Sequence, residues 1–170
     1  MGNLESFCNN REYINIVSDI LEDNKFVSIK KFKHHGITRF EHSLRVSYYS
    51  YLIAKALGFN YTDTARGGLL HDFFGNDQFS DKKKKFRFAL HPYCSLENAS
   101  NNFDLSDMEK DIIINHMFPT LPHKIPKYIE SWLVCLVDKG VAVYELFGSY
   151  SRTFIYRFSN IYLAMLLLLK

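Results

Sequence analysis

The stretch Ala65-Arg66-Gly67-Gly68-Leu69-Leu70-His71-Asp72 decides how the rest of the chain reads. Its leucines suit a buried helix, and its paired glycines remove bulk so that the helix can approach a neighbour closely. It ends on His71 and Asp72, side by side. Adjacent His and Asp at a helix end can both turn onto one cation, the imidazole through a ring nitrogen and the carboxylate through either oxygen. Outward from this pair, further histidines stand at His42, His91 and His116, and an aspartate follows at Asp138. The order His, His-Asp, His, His, Asp supplies ligands enough for two metal ions that share one carboxylate.

Helical signals surround every one of these residues. Tyr13, Ile16, Val17, Ile20 and Leu21 recur at helical spacing. Thr38 with Glu41 forms a reciprocal capping pair that opens a helix, and Gly58 stops it. On that helix His42, Val46, Tyr49, Ile53 and Ala56 are expected to form the buried stripe. The next helix starts near Thr62-Asp63. Pro92 suits a first helical turn, which puts His91 at or near an N-cap. Ser106 and Glu109 cap another helix, with Met108, Ile112 and His116 on one face and Pro119 beyond its end. A long apolar helix is predicted from Lys127 to about Phe147, and a last one from about Ser151. No alternating strand pattern, repeat or linker interrupts this series, so residues 1–170 read as one all-α domain.

Length and composition agree. The chain has 170 residues, 47% of them hydrophobic and 16% aromatic, which suits a globular core and argues against disorder. A net charge of +3 demands no nucleic-acid partner. Basic residues cluster at Lys25, Lys30, Lys31, Lys33 and Arg39, and again at Lys82 to Lys85 with Arg87. Such runs are solvated faces on one reading; on another they concentrate a polyanionic substrate. Cys8, Cys94 and Cys135 are odd in number and widely spaced, which fits a reducing, cytoplasmic setting. The N-terminus lacks the pattern of a signal peptide, although Gly2 and Ser6 match the outline of a myristoylation site. Ile161 to Leu169 is apolar but about half the length of a membrane span, so it is expected to pack on the core or to offer a contact surface for a homo-oligomer.

Taken singly, each histidine reads as a core imidazole bonded to a backbone carbonyl. The carboxylates change that reading. Asp138, inside Trp132-Leu133-Val134-Cys135-Leu136-Val137-Asp138, is expensive to bury unless a cation compensates it, and so is Asp72 after Leu69-Leu70. Two such carboxylates beside four inward-pointing histidines suit divalent metals.

On these residues the chain resembles the HD-domain superfamily of metal-dependent phosphohydrolases, over roughly residues 36 to 140. The strings Phe40-Glu41-His42-Ser43-Leu44-Arg45-Val46 and Gly68-Leu69-Leu70-His71-Asp72 are similar to those of many members. His91 and His116 resemble the additional ligands of the dinuclear subset, which includes symmetrical bis-nucleoside tetraphosphatases and cyclic-dinucleotide phosphodiesterases. The resemblance implies a compact helical bundle with one metal held by His42, His71, Asp72 and Asp138. A second metal would be held by His91 and His116, with Asp72 bridging. Imidazole-rich sites of this kind suit two divalent transition-metal ions, iron or manganese. The implied activity is cleavage of a phosphomonoester, phosphodiester or phosphoanhydride bond in a small phosphorylated substrate, a nucleotide, by a hydroxide that metal binding draws from water. Two departures concern the substrate group. His116 is followed by Met117-Phe118-Pro119 rather than a Gly-Tyr-Pro signature, and Phe73 to Asp77 holds no lysine where many relatives have one.

Other residues are candidates around this centre. Arg45, three residues past His42, either clamps a phosphate or faces solvent. Asp77 either passes a proton to the leaving group or caps a loop; with Asp72 and Arg45 it completes the expected catalytic set. Arg66 either anchors substrate or pairs with a carboxylate. Lys139 adjoins Asp138 but points about 100° away around the helix, so it is the weaker substrate contact. His34 and His35 either cover the site or belong to a basic loop, and His123 reads as surface. The same ligand set would also serve a mixed-valent di-iron oxygenase, and the fold alone would serve a non-catalytic nucleotide-binding module.

Overall fold

The computed structural model describes residues 7, 9–34, 37–79 and 86–168, with the backbone alone at 33–34, 77 and 149–168. Helix α1 (Arg11–Glu22) is capped by Asn10, whose side chain accepts the Tyr13 N–H at 3.1 Å. A one-turn helix α2 (Asn24–Val27) and a 3-10 turn (Ser28–Lys31) lead into a two-stranded hairpin. Its strands, β1 (Lys33–His34) and β2 (Ile37–Thr38), pair antiparallel with Lys33 opposite Thr38 and His34 opposite Ile37. The sequence carries no strand signal here, because two-residue strands are too short to show alternation. Four further helices follow: α3 (Arg39–Leu57), α4 (Tyr61–Leu70), α5 (Arg87–Asn102) and α6 (Asp107–Asn115). Helix α7 (Ile129–Leu168) closes the described chain, and the architecture is all-α.

Local chemistry sets these boundaries. The Thr38 hydroxyl accepts the Glu41 N–H at 3.2 Å while the Glu41 carboxylate accepts the Thr38 N–H at 2.8 Å, the predicted capping box. Gly58 ends the same helix at φ 73°, a left-handed conformation that a side chain would strain. Ser106 and Glu109 repeat the reciprocal cap at the start of α6.

The centre of the fold is a close helix–helix contact. A Cβ added at Gly68 would lie 3.2 Å from the Ser47 Cα of α3, and one at Gly67 would lie 2.8 Å from Ile112 Cδ1 and 3.0 Å from Ile112 Cβ on α6. Opposite these glycines α3 turns small residues inward: Ser43, Ser47, Ser50 and Ala54 are all fully buried. The Ser47 hydroxyl donates to the Ala65 carbonyl at 2.6 Å and accepts from the Tyr13 hydroxyl at 2.8 Å, so burying it leaves no group unmet. Tyr13, Val17, Ile20, Phe26, Tyr51, Leu69, Leu70 and Phe73 pack the main core, and Val46, Ile112, Val134 and Val141 a second cluster between α3, α6 and α7.

Three expectations are corrected. The stripe predicted on α3 is buried only at His42 and Val46; Tyr49 and Ile53 are 36% and 40% exposed, and Ala56 is exposed, because α4 claims the serine face instead. Helix α5 begins at Arg87, so Pro92 lies inside it rather than in its first turn. Helix α7 runs unbroken through the predicted boundary near Ser151, since Gly140 and Gly148 weaken a helix without terminating it and no proline follows.

Cys94 is half-buried and Cys135 buried, the Cys135 thiol donating to the Asn115 carbonyl at 3.3 Å. Among the described residues no helix is long and apolar enough to cross a membrane. Cys8, the Gly2–Ser6 pattern and the Lys82–Lys85 run lie outside the described residues, as does the side-chain packing of 161–169.

Gly67→Val is expected to lose about 2–3 kcal/mol to overpacking against Ile112, read as a fall in Tm of roughly 5–10 °C. The double variant with Ile112→Ala recovers part of that loss, whereas additive losses would show that the contact is not what glycine serves.

Candidate metal centre

Four helices bring one end each to a common point, and α7 brings its third turn. His42 lies in the first turn of α3, His71 and Asp72 follow the last turn of α4, His91 sits in the second turn of α5, His116 caps α6, and Asp138 projects from α7. His42, His71, Asp72, His91 and His116 are all buried.

The four imidazoles share one orientation. Each turns Nδ1 outward: His71 to the Gly68 carbonyl at 2.8 Å, His116 to the Ile113 carbonyl at 2.8 Å, His91 to the Arg87 carbonyl at 3.3 Å, and His42 to Glu145 Oε2 at 2.9 Å. A carbonyl can only accept, so in the first three rings Nδ1 carries the hydrogen and Nε2 presents a lone pair inward. Pro92 helps to aim His91. Lacking an N–H, it leaves the Phe88 carbonyl without its helical donor, and that carbonyl adds to the hydrogen bonding of the His91 ring.

The Nε2 atoms then meet around two carboxylates. His91 Nε2 and His116 Nε2 are 2.9 Å apart, and they lie 3.3 Å and 3.7 Å from Asp72 Oδ1. His71 Nε2 is 4.0 Å from Asp72 Oδ2 and 3.7 Å from Asp138 Oδ1, and it makes no hydrogen bond among the described residues. His42 Nε2 is 3.0 Å from Asp138 Oδ1. Two groups could therefore hold a metal ion, His42 with His71 and Asp72, and Asp72 with His91 and His116, their ligand atoms within 4.8 Å of one another.

A divalent cation fits this arrangement. Two Nε2 lone pairs pointed at each other repel, whereas two ligands at right angles on an ion about 2.1 Å away stand about 3 Å apart. A cation also engages the buried His71 Nε2, and imidazole nitrogen with carboxylate oxygen is the donor set of first-row metals.

The electrostatics divide along the same line. Burial lowers the pKa of His116 to about 3, helped by His71 and His91, and burial also lowers that of His91. At His42 burial opposes the charged form too, but Asp138 and Glu145 outweigh it and raise the pKa to about 10. Asp138, despite burial, is pulled well below the ordinary carboxylate range by His42, His71 and His116.

The other expected residues fare differently. Arg45 is committed to Glu145 at 2.9 Å, so it braces the partner of His42 instead of offering its guanidinium as a free clamp. Arg66 pairs with Glu109 and Asp19, both at 2.7 Å, and donates to the Ile16 carbonyl, which ties α4 to α1 and α6 and not to the centre. Lys139 reaches further than its helical position suggests, because its flexible stem lets Nζ donate to the His116 carbonyl at 2.7 Å, 3.5 Å from Asp138 Oδ2. The side chains of Asp77 and His34, and all of His35, lie outside the described residues. His123 is exposed.

Glu145 escapes the sequence reading, in which Arg39 and Arg87 stand only as members of basic runs. Glu145, buried between His42 and Arg45, lies two helical turns past Asp138 and so on the same face of α7. Arg39 is buried with its guanidinium 3.7 Å over the Phe74 ring, donating to the Phe74 carbonyl at 2.6 Å and to Asn76 Oδ1 at 3.2 Å. Arg87 donates to the same Asn76 oxygen at 3.3 Å. Neither arginine has a carboxylate in ion-pair range among the described residues, and Arg39 Nε is buried without a hydrogen-bond partner. Burial lowers the Arg39 pKa and Arg87 adds to that, while Asp72 opposes it.

An all-α domain that gathers imidazoles and carboxylates in this way could hold metal ions. Residues 39–141 match the family model of the HD domain, and the chain belongs to that family. The HD-domain superfamily is one of metal-dependent phosphohydrolases that bind divalent metals. No curated protein and no solved structure matches the chain.

His42 has a folded pKa of about 10 against an ordinary 6.5, so its contribution to metal-free stability is complete below pH 6.5 and is lost as pH rises towards 10. The metal-free protein is expected to lose Tm over that interval, and a His42→Gln variant to lose less. Parallel pH profiles for the two proteins would contradict the Asp138–His42–Glu145 charge chain.

Proposed function

We propose that the chain, acting as one domain over residues 1–170, hydrolyses a phosphoester or phosphoanhydride bond of a nucleotide at a dinuclear centre. His42, His71, Asp72 and Asp138 hold one divalent transition-metal ion, and His91 and His116 the other, with Asp72 shared; iron or manganese suits the donor set. The observation that carries this reading is the pair of Nε2 lone pairs on His91 and His116, 2.9 Å apart beside Asp72. A single ion held by His42, His71, Asp72 and Asp138 would leave that pair unused. A bound metal pair supplies Lewis acidity and a water made acidic enough to attack phosphorus near neutral pH.

The chain's own groups prepare the rest. The outward Nδ1 bonds fix each ring, and Glu145, braced by Arg45, does so for His42. Lys139 holds the His116 carbonyl beside Asp138. Asp77, five residues beyond Asp72, protonates the leaving oxygen. Arg39 and Arg87 converge on one amide oxygen with no acidic partner among the described residues, an arrangement that favours an incoming anion, and guanidinium matches phosphoryl geometry. Phe88 lies exposed beside His91 with ring centroids 6.4 Å apart, apolar surface on which a base can stack.

Elemental analysis of protein purified without chelators is expected to give two metals per chain, falling to about one in His91→Ala. Hydrolysis on a panel of nucleotides and phosphoesters is lost on chelation and restored by iron or manganese. One metal per chain in both proteins, or two metals with no phosphoester cleavage, overturns the reading. Arg87→Ala is expected to keep both metals and raise KM about tenfold or more through the lost charge-assisted phosphate contact, and an unchanged KM removes that residue from substrate binding.

A further inference from the structure

Glu145 brings a full charge to a place where a neutral acceptor would orient the ring as well. Its side chain is fully buried, with Oε2 2.9 Å from His42 Nδ1 and Oε1 accepting from the Arg45 guanidinium at 2.9 Å. The backbone carbonyls of Gly68 and Ile113 orient His71 and His116 at 2.8 Å with no such charge. A buried carboxylate carries a desolvation penalty that a carbonyl of the same helix does not. What the charge adds is strength. A hydrogen bond to an ionised acceptor is about twice as strong as a neutral one, and a carboxylate on Nδ1 makes the opposite ring nitrogen a more basic ligand.

Helix α7 delivers this charge to one side of the centre. Asp138 and Glu145 stand two helical turns apart, so they share a face and close on the His42 ring from its two nitrogens, at 3.0 Å and 2.9 Å. Beside His91 and His116 the carboxylate within ion-pair range among the described residues is Asp72, which both sides share. Their Nδ1 atoms face the Arg87 and Ile113 carbonyls. Cations do not cancel the difference. Arg45 sits on the Glu145 oxygen remote from the ring and is 26% exposed, so solvent screens it. Lys139 Nζ is 3.5 Å from Asp138 Oδ2 but donates to the His116 carbonyl at 2.7 Å, closer to the side that has fewer anions.

We infer that Glu145 is a positioning residue that makes the two metal sites unequal: the ion held through His42 binds first and more tightly, and the ion held through His91 and His116 binds last and leaves first. The inference rests on the dinuclear reading proposed above. Its consequence is regulatory, because a reaction that needs both ions then follows the free metal concentration through the weaker site.

Manganese(II) titrated into the chelator-stripped full chain, followed by calorimetry and spin resonance, tests it. The wild type is expected to show two binding events about tenfold or more apart in affinity, and His91→Ala to lose the weaker one. Glu145→Gln is expected to weaken the tighter event about 10- to 100-fold and to move the weaker one less than about threefold, a selectivity that a merely structural role would not give. In the zinc-loaded wild type the His42 Nδ1 proton resonance is expected downfield of those of His71 and His116, because its acceptor is charged. A single binding event in the wild type overturns the dinuclear reading and this inference with it. Two events of equal affinity, loss of the tighter event in His91→Ala, or a tighter event unmoved in folded Glu145→Gln overturns this inference alone. A His42 proton resonance within the range of the other two overturns it even where Glu145→Gln does not fold.

Discussion

Four imidazoles that all spend Nδ1 on an outward acceptor leave four Nε2 atoms crowded around two carboxylates, and the rest of the fold answers to that crowding. The hydrogen bonds to Gly68, Ile113 and Arg87 come from the helices' own backbone, so ring orientation is fixed as soon as α4, α5 and α6 form. What the backbone cannot supply is a positive charge between the lone pairs. In the metal-free state His42 makes up part of the deficit, holding a proton between Asp138 and Glu145, while burial disfavours the charged forms of His91 and His116. A cation held by these groups would supply the remainder.

The spacing of α3, α4 and α6 is the second constraint, and small residues set it. Gly67 and Gly68 let α4 lie against the Ser47 backbone and the Ile112 side chain, and the serine face of α3 accepts it because Ser47 is bonded on both sides. This places His42 at the start of α3 beside His71 at the end of α4, with ring centroids 5.5 Å apart. A wider contact would part the two rings and, with them, the ligand set.

The candidate ligands were legible because metal chemistry admits few residue types. A histidine or aspartate on a buried helical face announces itself whatever the long-range packing, and the capping pairs at Thr38 and Ser106 announce the helices that carry them. What escaped depended on distance along the chain. Arg45 meets Glu145 100 residues away, and Arg66 meets Asp19 and Glu109 at separations of 47 and 43, so no local pattern could tell a bound arginine from an available one. Apolar periodicity misled on α3 for a related reason: the glycines of α4 reward a small polar face over a large apolar one. Pro92 misled because its missing donor is covered by an imidazole from the preceding residue, a compensation that helix rules do not encode.

Helix α7 joins the two halves of this account. Its inner face is held by polar groups, Glu130, Asp138, Lys139 and Glu145, with Val134 and Val141 the buried apolar residues beside them. Desolvating those charges opposes docking unless each finds its partner, and the partners of Asp138 and Glu145 lie in the cluster of histidines. Ligands that bind only the folded state stabilise it, so a cation held at this centre through Asp138 would strengthen the seat of α7 as well as the geometry of the rings. The helix is therefore fastened from within by electrostatics and presents its apolar residues outward, the reverse of the division that α1 displays with Tyr13, Val17 and Ile20 turned to the core.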